Sequence, residues 1–466
     1  MAKRIRKILK LVLLFLFCIV LFNVLEPLFH RRPDPDYARQ LASTSFKSEV
    51  PGSEKIRCID DNEEALLWRL RMIAGARDSV TLATFDMRPD DSGTAILAAL
   101  HHAAEKGVRV KILIDGIYQT LFLGGNDLFQ ALAQHENVEV RVYNPITPGN
   151  MLRLNYRMHD KYILVDDRMY LLGGRNTNDI FLGRKESGIN IDRDILVYDT
   201  SLGEGESLQA LQDYFLEIWE KSTVRKPGLR EDGDCTEQYR QLRACFDASK
   251  ESYPDIEGFD RWEEETREVN KITLVHNGTQ AGQKTPQVLQ AIEYLAMEGD
   301  DVVIQTPYVI CSQYMYEALE LIAARAELKI ILNAVEKGSN PWGCTDYLNN
   351  KKNILKTGAD VYELMNEHAV HTKTILVDEN ISMVGSYNLD MRSTYLDTEL
   401  MLVIDSPWLN EHIREIESDY QEKSREVLSN GQERDGRLYQ GKELSGGKKR
   451  FYGVLRVLIR PFRHLL

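Results

Sequence analysis

The stretch His159-Asp160-Lys161-Tyr162-Ile163-Leu164-Val165-Asp166 continues to Gly173-Gly174-Arg175-Asn176. It recurs as His371-Thr372-Lys373-Thr374-Ile375-Leu376-Val377-Asp378, continuing to Gly385-Ser386-Tyr387-Asn388. Both copies read His-x-Lys, four residues, Asp, six residues, Gly-small-x-Asn. One copy alone is a weak signal; two with the same internal spacing are a strong one. The apolar run after each histidine favours a strand. Residues two apart on a strand share a face, so His159 with Lys161, and His371 with Lys373, project together. An imidazole beside an ammonium combines a nucleophile or acid with a binder of phosphate oxygens. The glycine-rich turn lets the backbone come close and delivers Asn176 or Asn388, whose amide can donate to a further phosphate oxygen. Two such half-sites facing each other would surround one phosphate with two histidines, two lysines and two asparagines.

Outward from the first motif, periodicity predicts a helix at 62–76, a strand at 79–85, a helix at 93–106 stopped by Gly107, and a strand at 108–114. A short helix near 127–134 and a strand at 138–143 lead into the motif. The second half repeats this order with strands at 301–306, 328–332 and 360–364 and helices at 312–326 and 346–355. Further strands open at Asp194 and Glu399, after the two motifs. Strand–helix–strand order in each half predicts an α/β protein. Its two similar halves are expected to be related by a pseudo-twofold, each a mixed, largely parallel sheet flanked by helices, with the site at their junction. The expected division is 55–225 and 269–425 for the halves, with 226–268 an acidic helical insertion read as a bridge between them.

The two ends differ from this body. Lys3, Arg4, Arg6, Lys7 and Lys10 precede an apolar run from Leu11 to Leu25 broken only by Asn23. That pattern reads as an uncleaved single-pass anchor within 1–32, with the basic side cytoplasmic and the catalytic body outside the cytoplasmic membrane. Residues 33–54 read as a linker. The C-terminal tail, 426–466, contains Lys448-Lys449-Arg450 followed by alternating apolar and basic residues, and reads as an amphipathic segment in the headgroup layer. Residues 1–32 and 442–466 hold fourteen of the 58 Lys and Arg but two of the 71 Asp and Glu, leaving 33–441 at a net charge of −25. Nucleic-acid binders present basic surfaces, so no nucleic-acid partner is expected. Of the six cysteines, Cys235 and Cys245 are close enough in sequence to pair or to remain free thiols. No Cys/His spacing suggests zinc, and the lysines supply the positive charge a phosphate needs, so neither metal nor cofactor is expected.

The duplicated motif resembles the signature of the phospholipase D superfamily. Gly385-Ser386-Tyr387-Asn388-Leu389-Asp390-Met391-Arg392-Ser393, and Gly173-Gly174-Arg175-Asn176 with Asp179, are similar to the bacterial cardiolipin synthase branch. Asp397 departs from the asparagine often found there. The resemblance implies a catalytic set of His159, Lys161, Asp166, His371, Lys373 and Asp378, the two aspartates supporting structure at the turn after each strand. It implies phosphate-binding Asn176 and Asn388, and carboxylates, assigned to Asp194 and Glu399, that orient the histidines. It further implies a phosphatidyltransferase working through a phosphohistidine on His159, with phosphatidylglycerol and possibly phosphatidylethanolamine as substrates at the membrane. The alternative is a hydrolase of phospholipid or, against the acidic body, of nucleic acid.

Overall fold

The computed structural model describes residues 2–185, 187–228 and 233–466. Two nine-stranded sheets dominate it. Across the first the order is Arg267–Glu268, Glu54–Ile59, Asp194–Asp199, Met169–Gly173, Tyr162–Val165, Ser79–Thr84, Arg109–Asp115, Val138–Tyr143 and Val224–Arg225. Across the second it is Lys271–His276, Leu400–Asp405, Ile381–Gly385, Thr374–Val377, Asp301–Gln305, Glu327–Asn333, Asp360–Leu364, Ser424–Val427 and Glu433–Asp435. Without Arg267–Glu268 on one edge and Glu433–Asp435 on the other, the two orders correspond strand for strand. The chain is therefore a mixed α/β protein of two similar halves.

The pairing is mostly antiparallel, which corrects the largely parallel sheet expected above. Among the described residues of these two sheets, only the three strands joined through helices, Ser79–Thr84, Arg109–Asp115 and Val138–Tyr143, pair in parallel, as do their counterparts in the second sheet. Each motif strand turns straight back: Tyr162–Val165 onto Met169–Gly173, and Thr374–Val377 onto Ile381–Gly385. A connection that short admits only antiparallel neighbours. The motif strands are buried throughout, which accounts for their unbroken apolar runs.

Residues 33–54, expected as a linker, include an ordered helix. Pro35–Ser43 is a helix capped by Asp34, and it packs on helix Gln287–Ala296, where the Asp34 amide donates to Gln290 Oε1 at 3.0 Å. The acidic insertion adds an outer layer to the first half. Helix Thr236–Ser252 lies along Asp91–Glu105, while Phe259 and Trp262 pack against Trp68. The chain then crosses to the second half through Arg267–Glu268, which pairs with Glu54–Ile59. Cys235 and Cys245 are free thiols.

Ala2–Leu25 is one continuous helix, and the window 3–28 is apolar enough to cross a membrane with almost none of it buried against the protein. A helix of this length matches the thickness of a bilayer's hydrocarbon core.

Candidate active site

Each motif histidine sits just ahead of its strand, on backbone held by the opposite half. Met158 bridges Thr398 in parallel, the His159 amide donates to Thr398 Oγ1 at 3.1 Å, and the Thr398 amide returns to Arg157 O at 3.0 Å. In the mirror arrangement, Ala369–Val370 pairs with Asn190–Ile191, and the His371 amide donates to Ile191 O at 2.6 Å. Neither half can place its histidine alone. Alternation persists through the motif: Asp160 turns to the other side of the backbone, where Tyr214 and Thr398 hydroxyls donate to it at 2.8 and 2.7 Å.

The side chains cross the same seam. His159 Nδ1 lies 2.9 Å from Glu399 Oε1, and His371 Nδ1 lies 2.6 Å from Asp192 Oδ2. With Nδ1 engaged, Nε2 of His159 is the nitrogen left for chemistry, packed edge-on to Phe85. Lys161 Nζ bonds the His159 carbonyl, and Lys373 Nζ lies 3.1 Å from His371 Nε2. Burial followed by the Lys161 charge holds His159 well below its ordinary pKa; burial followed by Lys373 brings His371 to about 4. The charge of Lys373 also acts on His159, and that of Lys161 on His371, so the two half-sites share one electrostatic neighbourhood. Asn176 and Asn388 are buried, and each leaves its carboxamide oxygen without a hydrogen-bond partner. A buried acceptor left unpaired is costly, and a donor on a bound ligand, such as a headgroup hydroxyl, would relieve that cost, while the amide nitrogen is the atom that can donate to a phosphate oxygen.

The two carboxylates differ. Burial alone would raise Asp192, but Lys373 and His371 outweigh it and hold it at about 2. For Glu399 burial wins, and its carboxyl is pushed up to about 8 despite Lys161 and the hydroxyls of Ser386 and Ser393, each 2.5 Å away. Asp192 thus keeps its negative charge beside His371, while burial favours the neutral form of Glu399 beside His159.

The carboxylate on His371 is Asp192, not Asp194. Asp194 is held by Arg69 at 2.9 Å and Arg175 at 3.2 Å, deep in the first half. The reason is register. Gly173 pairs with Asp194 and Gly385 with Met401, so the residue equivalent to Glu399 lies two before Asp194. Gly174 makes room for it, since a Cβ there would come within 2.3 Å of Asp192 Oδ1; the equivalent Ser386 instead donates its hydroxyl to Glu399. Asp166 and Asp378 stand outside the cluster. Each adopts a left-handed backbone, with φ of 54° and 48°. Asp166 accepts the amides of Arg77, Asp78 and Ser79, and Asp378 those of Asp300 and Asp301. They tie the end of the motif strand to the start of its neighbour, a structural role.

Among the described residues Cys58, Asp60 and His412 bring potential ligand atoms within 4.8 Å of one another. Arg193 Nε, 2.7 Å from Asp60 Oδ1, already neutralises that carboxylate, and a guanidinium there opposes a cation.

The family model described as cardiolipin synthase, PLD-like domain, matches residues 70–219 and 292–421, one motif in each stretch. The chain belongs to this family. Relatives of the PLD-like family include cardiolipin synthase C of Escherichia coli, 25% identical over 80% of this chain and 86% of that protein. The major cardiolipin synthase of Bacillus subtilis is 27% identical over 73% of this chain and 64% of its own length. Among solved structures, phosphatidylserine synthase of Haemophilus influenzae superposes with a TM-score of 0.63, covering 91% of this chain and 97% of that one at 15% identity, a likeness of fold.

Proposed function

We propose that this phosphatidyltransferase of the phospholipase D superfamily moves a phosphatidyl group from one phosphatidylglycerol to the glycerol headgroup of a second. The observation that carries the reading is the exchange of carboxylates across the seam, which sets two imidazoles from two halves in one electrostatic neighbourhood with Lys161 and Lys373. His159 Nε2 attacks phosphorus; His371, protonated from solvent as the phosphate's negative charge enters beside it and Asp192, gives that proton to the headgroup oxygen as the bond from phosphorus to that oxygen breaks, and glycerol leaves. The phosphatidyl group now rides on His159. His371, neutral again, takes the proton of the second lipid's hydroxyl, whose oxygen displaces His159 and forms cardiolipin. Asp192 suits His371 to this role because its fixed charge favours the imidazolium. Lys161, Lys373, Asn176 and Asn388 hold the phosphate oxygens as charge shifts between them. Phosphatidylethanolamine is a second candidate donor, with ethanolamine leaving. The helix Ala2–Leu25 holds this machinery at a cell membrane, with the catalytic body on its outer side.

The test is product analysis with the full-length protein in phosphatidylglycerol vesicles. Cardiolipin and free glycerol in equal amounts support the reading, and His159→Ala abolishes both. Phosphatidic acid as the sole lipid product makes the protein a hydrolase instead.

A further inference from the structure

Helix Gly446–Leu458 has two apolar faces and only one of them is covered. Tyr452 and Leu455 turn inward with Ile459 and are buried, and the helix lies along Pro341–Lys356, fixed by Arg456 to Asn349 Oδ1 at 2.9 Å and to Leu348 O at 3.1 Å. Phe451, Val454, Val457 and Leu458 face away, 50 to 65% exposed, and Phe462 on the following turn is also uncovered. At about 100° per residue these four side chains occupy roughly a third of the helix circumference. Lys448, Lys449, Arg450 and Arg460 beside them are exposed, on a chain whose body is strongly acidic. Basic residues framing an apolar face suit the headgroup–acyl boundary of an anionic leaflet.

The position of this helix identifies what covers it. Its continuation, Arg460–Leu465, ends against the exit of the anchor: His464 Nε2 lies 2.5 Å from Val24 O. One residue earlier on the anchor, Asn23 donates to Met151 O at 2.8 Å and accepts from the Leu154 amide at 3.1 Å, in the loop that leads to His159. Arg392 gathers the two, donating to Asn155 O at 2.8 Å and Leu465 O at 3.1 Å, and its charge reaches His159. The turn that follows the helix is thus tied to the end of the anchor helix, and that end is bonded into the loop that leads to His159.

We propose that the outer face of Gly446–Leu458 is a second membrane-contact surface, seated on an anionic leaflet on the side where the anchor emerges, and that the two contacts together hold the mouth of the site at headgroup depth. The proposal rests on the reading that Ala2–Leu25 spans the membrane. Its test needs no turnover. Full-length Val457→Trp is reconstituted in vesicles of phosphatidylglycerol with phosphatidylcholine carrying brominated acyl chains. The emission added by the new tryptophan, relative to the parent protein, is expected to be largely lost to the bromines. Replacing Lys448, Lys449 and Arg450 by Glu is expected to restore it while the protein still floats with the vesicles. Unquenched emission from Val457→Trp in a protein that floats overturns the proposal and leaves the anchor standing. Equal quenching in purely neutral vesicles overturns its anionic element. Failure of the whole protein to float overturns both the anchor and the second contact.

Discussion

Glu399 of the second half lies 2.9 Å from His159 of the first, although 240 residues separate them in sequence. The reciprocal pair, Asp192 with His371, spans the seam in the other direction. The site is therefore a property of the junction. Each histidine takes its tautomer and its orientation from the half it does not belong to.

Removing the ionisable carboxyl of either residue while keeping its shape should slow chemistry more than binding. Glu399→Gln and Asp192→Asn are each expected to lower kcat by about 10²- to 10⁴-fold with little change in KM, the range seen when a histidine loses its orienting acid. Asp194→Asn should behave differently. It leaves Arg69 and Arg175 with a weakened buried partner, costing about 3 kcal/mol of stability, visible as a lower Tm with near-normal kcat in the folded fraction. Steady-state kinetics and thermal unfolding on the three variants separate these roles.

Activity should fall on the alkaline side near pH 8. Burial, opposed most strongly by Glu399 for Lys161 and by Asp192 for Lys373, brings both ammonium groups down to about 8. A lowered lysine pKa means the charge is present below that value and lost as pH rises through it, taking with it the attraction for phosphate. A profile of kcat/KM should bend down around pH 8, and Lys373→Arg should make that limb shallower, leaving the fall that follows Lys161. A profile flat to pH 10 would contradict this account of the lysines.

The third motif residue should matter to folding rather than to chemistry. Asp166→Ala removes a carboxylate that accepts three backbone amides, at an expected cost of about 2 to 3 kcal/mol. Asp166→Asn, which tolerates the left-handed backbone and keeps an acceptor, should recover part of that loss. Thermal unfolding measures both, and kcat per folded molecule should stay within a few-fold of the parent.

Much of this was open to reading because the chain states its motif twice. Strands such as Val138–Tyr143 and Asp360–Leu364 lie where periodicity puts them, since each has an apolar face packed in the core. The strands Glu54–Ile59 and Lys271–His276, the second of them at a sheet edge, carry charged residues at alternate or terminal positions and give no comparable signal. Asp192 escaped for a more specific reason. Asp194 opens the strand and Asp192 does not, and a slip of two residues keeps the same face, so alternation cannot distinguish them. Only the pairing of Gly173 with Asp194 sets the register. The hydroxyls of Ser386 and Ser393 on Glu399, and the convergence of Asn23, Asn155 and Leu465 around Arg392, join residues far apart in sequence and have no local pattern to announce them.

The central claim is that two imidazoles serve one phosphorus atom in different roles. Its most direct test is rapid acid-free quenching of the enzyme with phosphatidylglycerol, followed by mass spectrometry of its peptides. A phosphatidyl adduct should appear on His159, vanish in His159→Asn, and persist longer than in the parent when His371→Asn is loaded with a donor whose leaving group needs no proton. An adduct on His371, or full turnover by either histidine variant, would contradict it.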